Sequence, residues 1–418
     1  MMIHLDLDSF FISAERIIKP TLRGIPAAVG GRGDPFIFDP KGQSKIDSVT
    51  KNQGAFVPSI FYDAKSDFES YFLEGSRIRG IIITASYEAR ALGIKTGMTI
   101  REALNIYPDL IVVPPNHLYY HELSHQLFTF LQHHIPKVEQ FSIDEFFADL
   151  HGWVSKEELL PFLQDLQAKI DKEFSLPISI GAARSKWTAK LATSFAKPHG
   201  IKIVEDVESF IKDIPIEEFP GIGRGYLRRL SNYGIKKLGE IKPLKNLFYS
   251  WKKPGIQLYK RILGIDNEPI QSASPKKSLG ISRTIDPIKD RGEIKRRLIV
   301  MSRYLATTLA SYNLQPFCYG LSLRYDFGGK TKAHLCSNKL FNEKLFIEIV
   351  LKLLQRCDLY TSSPIVRLGI RVWDFYKPKI YDLTTFKEDR KFASLSDSLT
   401  TIRSKYGINQ LKWAVELE

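Results

Sequence analysis

The opening stretch constrains the fold more than any other part of the chain. Ile3, Leu5 and Leu7 alternate with His4, Asp6 and Asp8, the period of a strand that buries one face only. The residues that follow, SFFISAERII, carry apolar side chains at helical spacing. A strand of this kind needs a sheet to cover its apolar face. It leaves two carboxylates on the other face, beside the start of a helix.

A second acidic pair, Asp144 and Glu145, sits in FSIDEFF between two aromatic-rich strand halves. Neighbouring residues of a flat strand point to opposite faces, so these two act together only if the chain turns or bulges there. Carboxylates flanked by apolar residues repel one another and protonate unless a cation holds them. Hard oxygen donors, completed by water and phosphate, suit Mg²⁺. Two such ions, about 3.5–4 Å apart, clamp the attacking and leaving oxygens of an in-line phosphoryl displacement. Read singly, each acid is an ordinary turn cap or a partner for a lysine.

Composition sets the frame. At 418 residues, with 44% hydrophobic and 25% charged residues, the chain reads as a globular protein of two to four domains. MMIHLDLDSFF lacks the cationic start and apolar run of a signal peptide, and no apolar stretch reaches membrane-spanning length. Cys318, Cys336 and Cys357 form no CxxC pair. They imply neither a disulfide framework nor a cysteine zinc site, and a reducing cytoplasm is expected. The formal charge of +14 is unevenly spread: residues 271–418 hold 26 Lys+Arg against 14 Asp+Glu, leaving only +2 for residues 1–270. A basic module joined to a near-neutral one points to a polyanion-binding domain appended to a catalytic body.

Along the chain, strand-like residues 25–29 end at Gly30-Gly31, and an irregular stretch runs to about Ser76 before a second strand at 81–84. Helical patterns cover 118–134 and 156–173, with strand-rich 140–150 between them. Phe219-Pro220-Gly221-Ile222-Gly223, then Tyr226 to Leu230 and Gly234-Ile235, reads as two helices around a tight Gly-rich hairpin. Polar, Pro-containing 267–277 is a linker. Beyond it, strand-like 319–327 and 365–373 alternate with helical patterns at 292–312 and 342–356, a small α+β domain.

Five blocks give this pattern a family. HLDLDSFFISAER, SYEARALGIKTGM, FSIDEFFADL, IGAARSKWTAKLATSFAKPHGI and FPGIGRGYLRRL occur in that order and resemble the Y-family of translesion DNA polymerases (polymerase IV-like), covering most of residues 1–270. The resemblance implies an α+β multidomain, right-hand polymerase. Its palm is ferredoxin-like (1–9 and 110–203), and its small fingers span 10–109 with an extra segment at about 31–80. A helix-hairpin-helix thumb (204–266), the linker (267–278), an α+β little finger (279–377) and a tail (378–418) complete it. Asp6, Asp144 and Glu145 are then the catalytic ligands of two Mg²⁺, with the Leu7 carbonyl as a backbone ligand; Asp8 is in the motif but is not a ligand. Phe11 is the steric gate against a 2′-hydroxyl. Phe10 and Phe11 offer backbone N–H groups to the triphosphate, joined by Tyr87, Arg90 and Lys197. Primer-template DNA meets Ser185, Lys186, Gly221, Ile222 and Gly223. On the little finger, alternation puts Ser322 with Arg324, and Arg367 with Gly369 and Arg371, on DNA-facing sheet surfaces.

The resemblance further implies a cytoplasmic monomer with DNA and dNTP as partners. Tyr381 to Phe386 stands where relatives often carry a sliding-clamp peptide, but it lacks the glutamine and one aliphatic anchor. The extra segment is rich in aromatics, including Phe36, Phe38, Phe56, Phe61, Tyr62, Phe68, Tyr71 and Phe72, so an ordered, packed segment is expected. It is read either as a flap beside the incoming nucleotide or as a surface insertion without a role. Two rival functions remain. One is a polymerase-like accessory protein without chemistry, which would be expected to lose the three carboxylates. The other is a zinc hydrolase built on His121-Glu122-Leu123-Ser124-His125, a short pattern that aligns with a palm helix of the Y-family.

Overall fold

A computed structural model describes residues 1–33, 37–38, 67–271, 276–376 and 387–416. Segment 381–386, read above as a weak clamp peptide, and Phe36, Phe56, Phe61 and Tyr62 lie outside the described residues. The described residues form two compact units. One comprises 1–30 and 82–271; the other comprises 31–33, 37–38, 67–81 and everything from 276 onward.

In the first unit the alternating stretch forms the strand Met2–Leu7, at the centre of a five-stranded sheet. Its neighbours are Ile178–Ala183 and Glu145–Asp149, both antiparallel to it. Val138–Gln140 lies outside the latter, and Ile201–Val204 runs parallel to the former. The helices His117–His134 and Leu159–Phe174 connect the strands so that the sheet has the ferredoxin-like order. Leu127, Leu131, Leu163, Leu166 and Ile170 from these helices pack on Ile3, Leu5, Leu7, Phe146 and Ile180. The opposite face receives the helix Lys186–Ala196 at very short range: a Cβ on Gly181 would meet the Ala189 carbonyl oxygen at 2.2 Å. Only glycine permits that approach, which brings the lysines of this helix down onto the acidic face.

Two further parts complete the unit. A small sheet orders the strands Ile81–Ala85, Ala27–Gly31 and Ile111–Val113, and the short helix Tyr87–Ala91 follows, capped by Ser86. A helical cluster around Ile216, Phe219, Ile222, Leu230, Leu238 and Phe248 contains the Gly-rich turn. Part of the expected linker is fastened to this unit. Glu268 accepts from Trp187, Gln257 and Arg261, and the Gln271 amide donates to Glu139 at 2.7 Å.

The second unit has a four-stranded antiparallel sheet ordered Ser278–Ile288, Ile365–Tyr376, Gln315–Tyr325, Lys330–Cys336. The helices Arg291–Ser311 and Glu343–Cys357 share one core with it. Cys318 and Cys336 stand opposite one another in the register and are joined as a disulfide, where the sequence implied no disulfide framework. Spacing along the chain could not show this pairing, because adjacent strands brought it about.

Two segments that the sequence sets apart are built into this unit. Residues 31–33, 37–38 and 67–81, placed with the fingers by the sequence, group here: Ile37 is 2% exposed within the core. The Phe38 ring lies 4.6 Å from the Arg297 guanidinium, and Arg79 pairs with Asp286 at 2.6 Å. The expected tail contains the helix Lys387–Tyr406, which docks through the buried pair of Arg403 with Glu343, and beyond it Glu416 pairs with buried Arg303. Among the described residues, no helix is long and apolar enough to cross a membrane.

Candidate active site

The site grows from the sheet's register. Asp6 lies directly opposite Glu145 across antiparallel strands, and opposite Ser179 on its other side. Asp144 lies in the bend just before the strand, and its carbonyl accepts from the Leu7 amide at 3.0 Å. Phe141 and Ser142 close the turn onto the Glu145 carbonyl. The turn that the adjacent acids require is therefore present, and it brings Asp144 to the acids of the sheet face. The Leu7 side chain is buried in the core, so only its backbone can serve the site.

The three acids sense one another. Burial, opposed by the neighbouring Lys197 ammonium, pushes the Asp6 carboxyl up to about 7, and the charges of Asp144 and Glu145 add to the rise. Burial likewise raises Asp144, opposed by the Ser142 hydroxyl and reinforced by Glu145. Each acid has its own neutral or cationic partner: Lys197 Nζ lies 2.6 Å from Asp6, Ser142 donates to Asp144, and Lys190 pairs with Glu145. Among the described residues, no three Asp, Glu, His or Cys side chains converge closely enough to hold an ion as they stand. The donor chemistry nonetheless fits a hard divalent cation, since three carboxylates repel one another in one place and lack compensating charge beyond two lysines.

Beside the acids, Ser9 takes the left-handed conformation (φ 46°) and starts the helix Phe10–Ile18. Phe10 is buried. The half-buried Phe11 ring stacks on Tyr120 at 4.5 Å and meets His117 edge-on. Tyr87 and Arg90 share one short helix, with the guanidinium 4.9 Å from the phenol ring. Burial, with the Asp8 carboxylate, raises the Tyr87 hydroxyl above its ordinary value.

Several functional neighbours escaped sequence reasoning. Asp8 is 1% exposed and accepts from the Tyr87 hydroxyl (3.0 Å), the Ser179 hydroxyl (2.7 Å) and the His199 amide (2.7 Å). It thereby ties the Tyr87 helix to the turn that follows Lys197, and its place in the D-x-D motif was the available signal. His4 is buried against Thr193 (2.9 Å). Burial, followed by Lys190, Lys197 and Lys186, holds it well below its usual range, so it is neutral.

The expected DNA contacts divide into two groups. Ser185 is buried and caps the helix through Thr188, and Lys186 is buried with its ammonium on Glu139 at 2.6 Å and over the Phe147 ring. Both side chains are thus engaged in the fold, and a phosphate would have to break a buried ion pair to reach Lys186. In the Gly-rich turn, Ile222 is a core residue while Gly221 (φ 107°) and Gly223 are exposed. Gly223 starts the helix Arg224–Asn232 without a side-chain cap. On the second unit, the register aligns Lys330, Arg324 and Arg367 in one lateral row, with His334, Gly320, Arg371 and Gly280 in another. A shallow trough of about 670 Å³ crosses this face over Gly280, Gly320 and Gly369. The zinc pattern does not form a site: His121 is buried and His125 is exposed.

Known proteins resemble this chain in sequence and fold. Residues 5–194 match the impB/mucB/samB family, 204–235 its helix-hairpin-helix motif, and 276–383 its C-terminal domain. DNA polymerase IV 1 of Halalkalibacterium halodurans is 28% identical over 97% of this chain and 91% of its own length. DNA polymerase IV of Dehalococcoides mccartyi is 27% identical over 98% and 96%. Among solved structures, a Y-family DNA polymerase chimera of Dbh and Dpo4 covers 90% of this chain and 98% of its own at 23% identity, with a TM-score of 0.68. The insertion ternary complex of Dbh DNA polymerase covers the same shares at 22% and 0.56. With matches to all three parts of one family falling in order along the chain, this protein belongs to the Y-family of DNA polymerases, the impB/mucB/samB family.

Proposed function

We propose that this chain performs template-directed DNA synthesis of the translesion type, joining a dNTP to a primer 3′-hydroxyl with release of pyrophosphate. The observation that carries this reading is the register of Asp6 opposite Glu145, with Asp144 in the adjoining turn and Lys197 against Asp6. Two Mg²⁺ ions, when bound, supply the Lewis acidity that makes the 3′-hydroxyl a nucleophile and offsets charge on the triphosphate. Asp6, Asp144 and Glu145, with the Leu7 carbonyl, are the groups that would hold them.

The rest of the site binds and orients. Phe10 and Phe11 begin a helix whose first amides have no intrahelical acceptor, a suitable place for phosphate oxygens. Tyr87, Arg90 and Lys197 add a hydroxyl, a planar fork and a point charge. Phe11, whose ring stacks on Tyr120, would be the side chain that excludes a 2′-hydroxyl. The cationic rows of the C-terminal sheet and the turn at Gly221 and Gly223 grip DNA phosphates without reading sequence.

Primer extension on a labelled template with Mg²⁺ and four dNTPs tests the reading. The protein should extend, whereas Asp144→Ala should lose at least about 10³-fold in rate, about 4 kcal/mol, while binding primer-template nearly as well. Binding without extension by the unaltered protein would favour the accessory reading. Extension retained in Asp144→Ala would remove these acids from the chemistry.

A further inference from the structure

Three lysines on and just after the helix Lys186–Ala196 each meet one acid: Lys186 meets Glu139, Lys190 meets Glu145, and Lys197 meets Asp6. Lys186 lies in a buried pair whose acid also fastens the linker through Gln271. Lys197 has a phosphate role in the reading above. Lys190 has no assignment. It is partly exposed (18%), as is Glu145 (19%), so the pair is open to exchange and does not lock the core. Its ammonium also lies 5.1 Å from the Phe141 ring, which limits where it can swing. It therefore stays close to Glu145, one of three acids that sense each other's charge.

We infer that Lys190 is a positioning residue that sets the divalent-ion affinity of the acidic cluster. This rests on Asp6, Asp144 and Glu145 being the metal site. An ion taken up by Glu145 must displace or share the ammonium, and the fixed positive charge opposes a dication wherever in the cluster it binds. Uptake is thereby held back until more negative charge arrives, and a nucleotide triphosphate brings it. Lys190 keeps the carboxylate oriented meanwhile, so the site is ordered without binding metal tightly. Even with an effective dielectric of about 20, removing one unit charge roughly 5 Å from a dication is enough for a tenfold or larger change in affinity.

The test is Mn²⁺ binding to the full chain without DNA, followed by the electron paramagnetic resonance signal of free Mn²⁺. Lys190→Gln should bind Mn²⁺ at least tenfold more tightly than the unaltered protein, and Lys190→Arg, which keeps the charge, should stay within threefold. Lys190→Met serves as a second neutral variant if Lys190→Gln does not fold. Adding dNTP, with its own chelation of Mn²⁺ subtracted by a protein-free control, should narrow the gap between Lys190→Gln and the unaltered protein, because the triphosphate's negative charge offsets the ammonium's. Neutral variants that bind Mn²⁺ no more tightly than the unaltered protein overturn the inference. Asp144→Ala separates the two levels. If it binds Mn²⁺ as well as the unaltered protein does, the metal-site reading itself fails. If it loses binding while the neutral Lys190 variants gain none, only the role of Lys190 fails.

Discussion

Replacing Arg403 by methionine should destabilise the C-terminal unit by about 3–5 kcal/mol, the usual cost of breaking a buried ion pair from one side. The structure sets the terms of that estimate. Arg403 and Glu343 side chains are 1% and 4% exposed, and two guanidinium nitrogens reach the two carboxylate oxygens at 2.5 and 3.2 Å. The same guanidinium donates twice to the Leu411 carbonyl, at 2.9 and 3.1 Å. Arg403→Met thus leaves a buried carboxylate held from the side by the Trp413 indole, and a carbonyl stripped of both guanidinium donors. For a unit of this size, roughly 2–4 °C per kcal/mol predicts a fall of about 6–20 °C in its unfolding temperature. Differential scanning calorimetry of the full chain, with urea unfolding by circular dichroism as a second probe, measures it. The double variant Arg403→Met/Glu343→Met removes both charges and should recover most of the loss, because an apolar pair has no charge to desolvate. A shift below about 1 kcal/mol in the single variant, or a double variant worse than the single, would refute the reasoning.

Three further outcomes are expected. Phe11→Ala should admit ribonucleotides while changing dNTP use less, read as the ratio of rNTP to dNTP incorporation; an unchanged ratio makes Phe11 a packing residue on Tyr120 and nothing more. Arg324→Ala with Arg367→Ala should weaken primer-template binding and shallow the log–log salt slope by about two, roughly one for each phosphate no longer neutralised, as measured by fluorescence anisotropy across salt; an unchanged slope would move the grip elsewhere. Replacing residues 33–78 by a short Gly-Ser bridge should lower the unfolding temperature of the C-terminal unit, since burying Ile37 alone is worth about 1.5–3 kcal/mol. Calorimetry with unchanged transitions would return the segment to surface decoration.

Local patterns made part of this molecule legible. Alternation in IHLDLD placed Asp6 on the polar face, the adjacency of Asp144 and Glu145 demanded a turn, and the period of two in 365–373 aligned Arg367 with Arg371. What stayed hidden depends on partners distant in sequence. Lys186, carried over from the family resemblance as a DNA contact, pairs with Glu139 of another strand, a partner that its local sequence does not show. The spacing of Lys186 and Lys190, one helical turn apart, was a usable clue that both face the sheet. Arg403 and Glu343 gave no such clue, since charged side chains default to solvent and these two lie 60 residues apart in the chain. Cys318 and Cys336 became neighbours only through the strand register. The extra segment's aromatics announced packing without saying where, and the core that receives Ile37 is encoded far downstream.

That last placement governs how the protein is made. The Phe38 carbonyl accepts from Arg296, 258 residues later in the chain. At ribosomal rates of about 5–20 residues per second, the segment waits roughly 13–50 s for its partners to emerge. During that interval Ile37 and Phe38 have no core to enter, and the closing loop is among the longest the chain can form. These long-range contacts raise the contact order of the C-terminal unit, and its closure should be a slow step of folding, completed only after the downstream helix has emerged. It follows that residues 275–418 expressed alone would be a module missing part of its own interior.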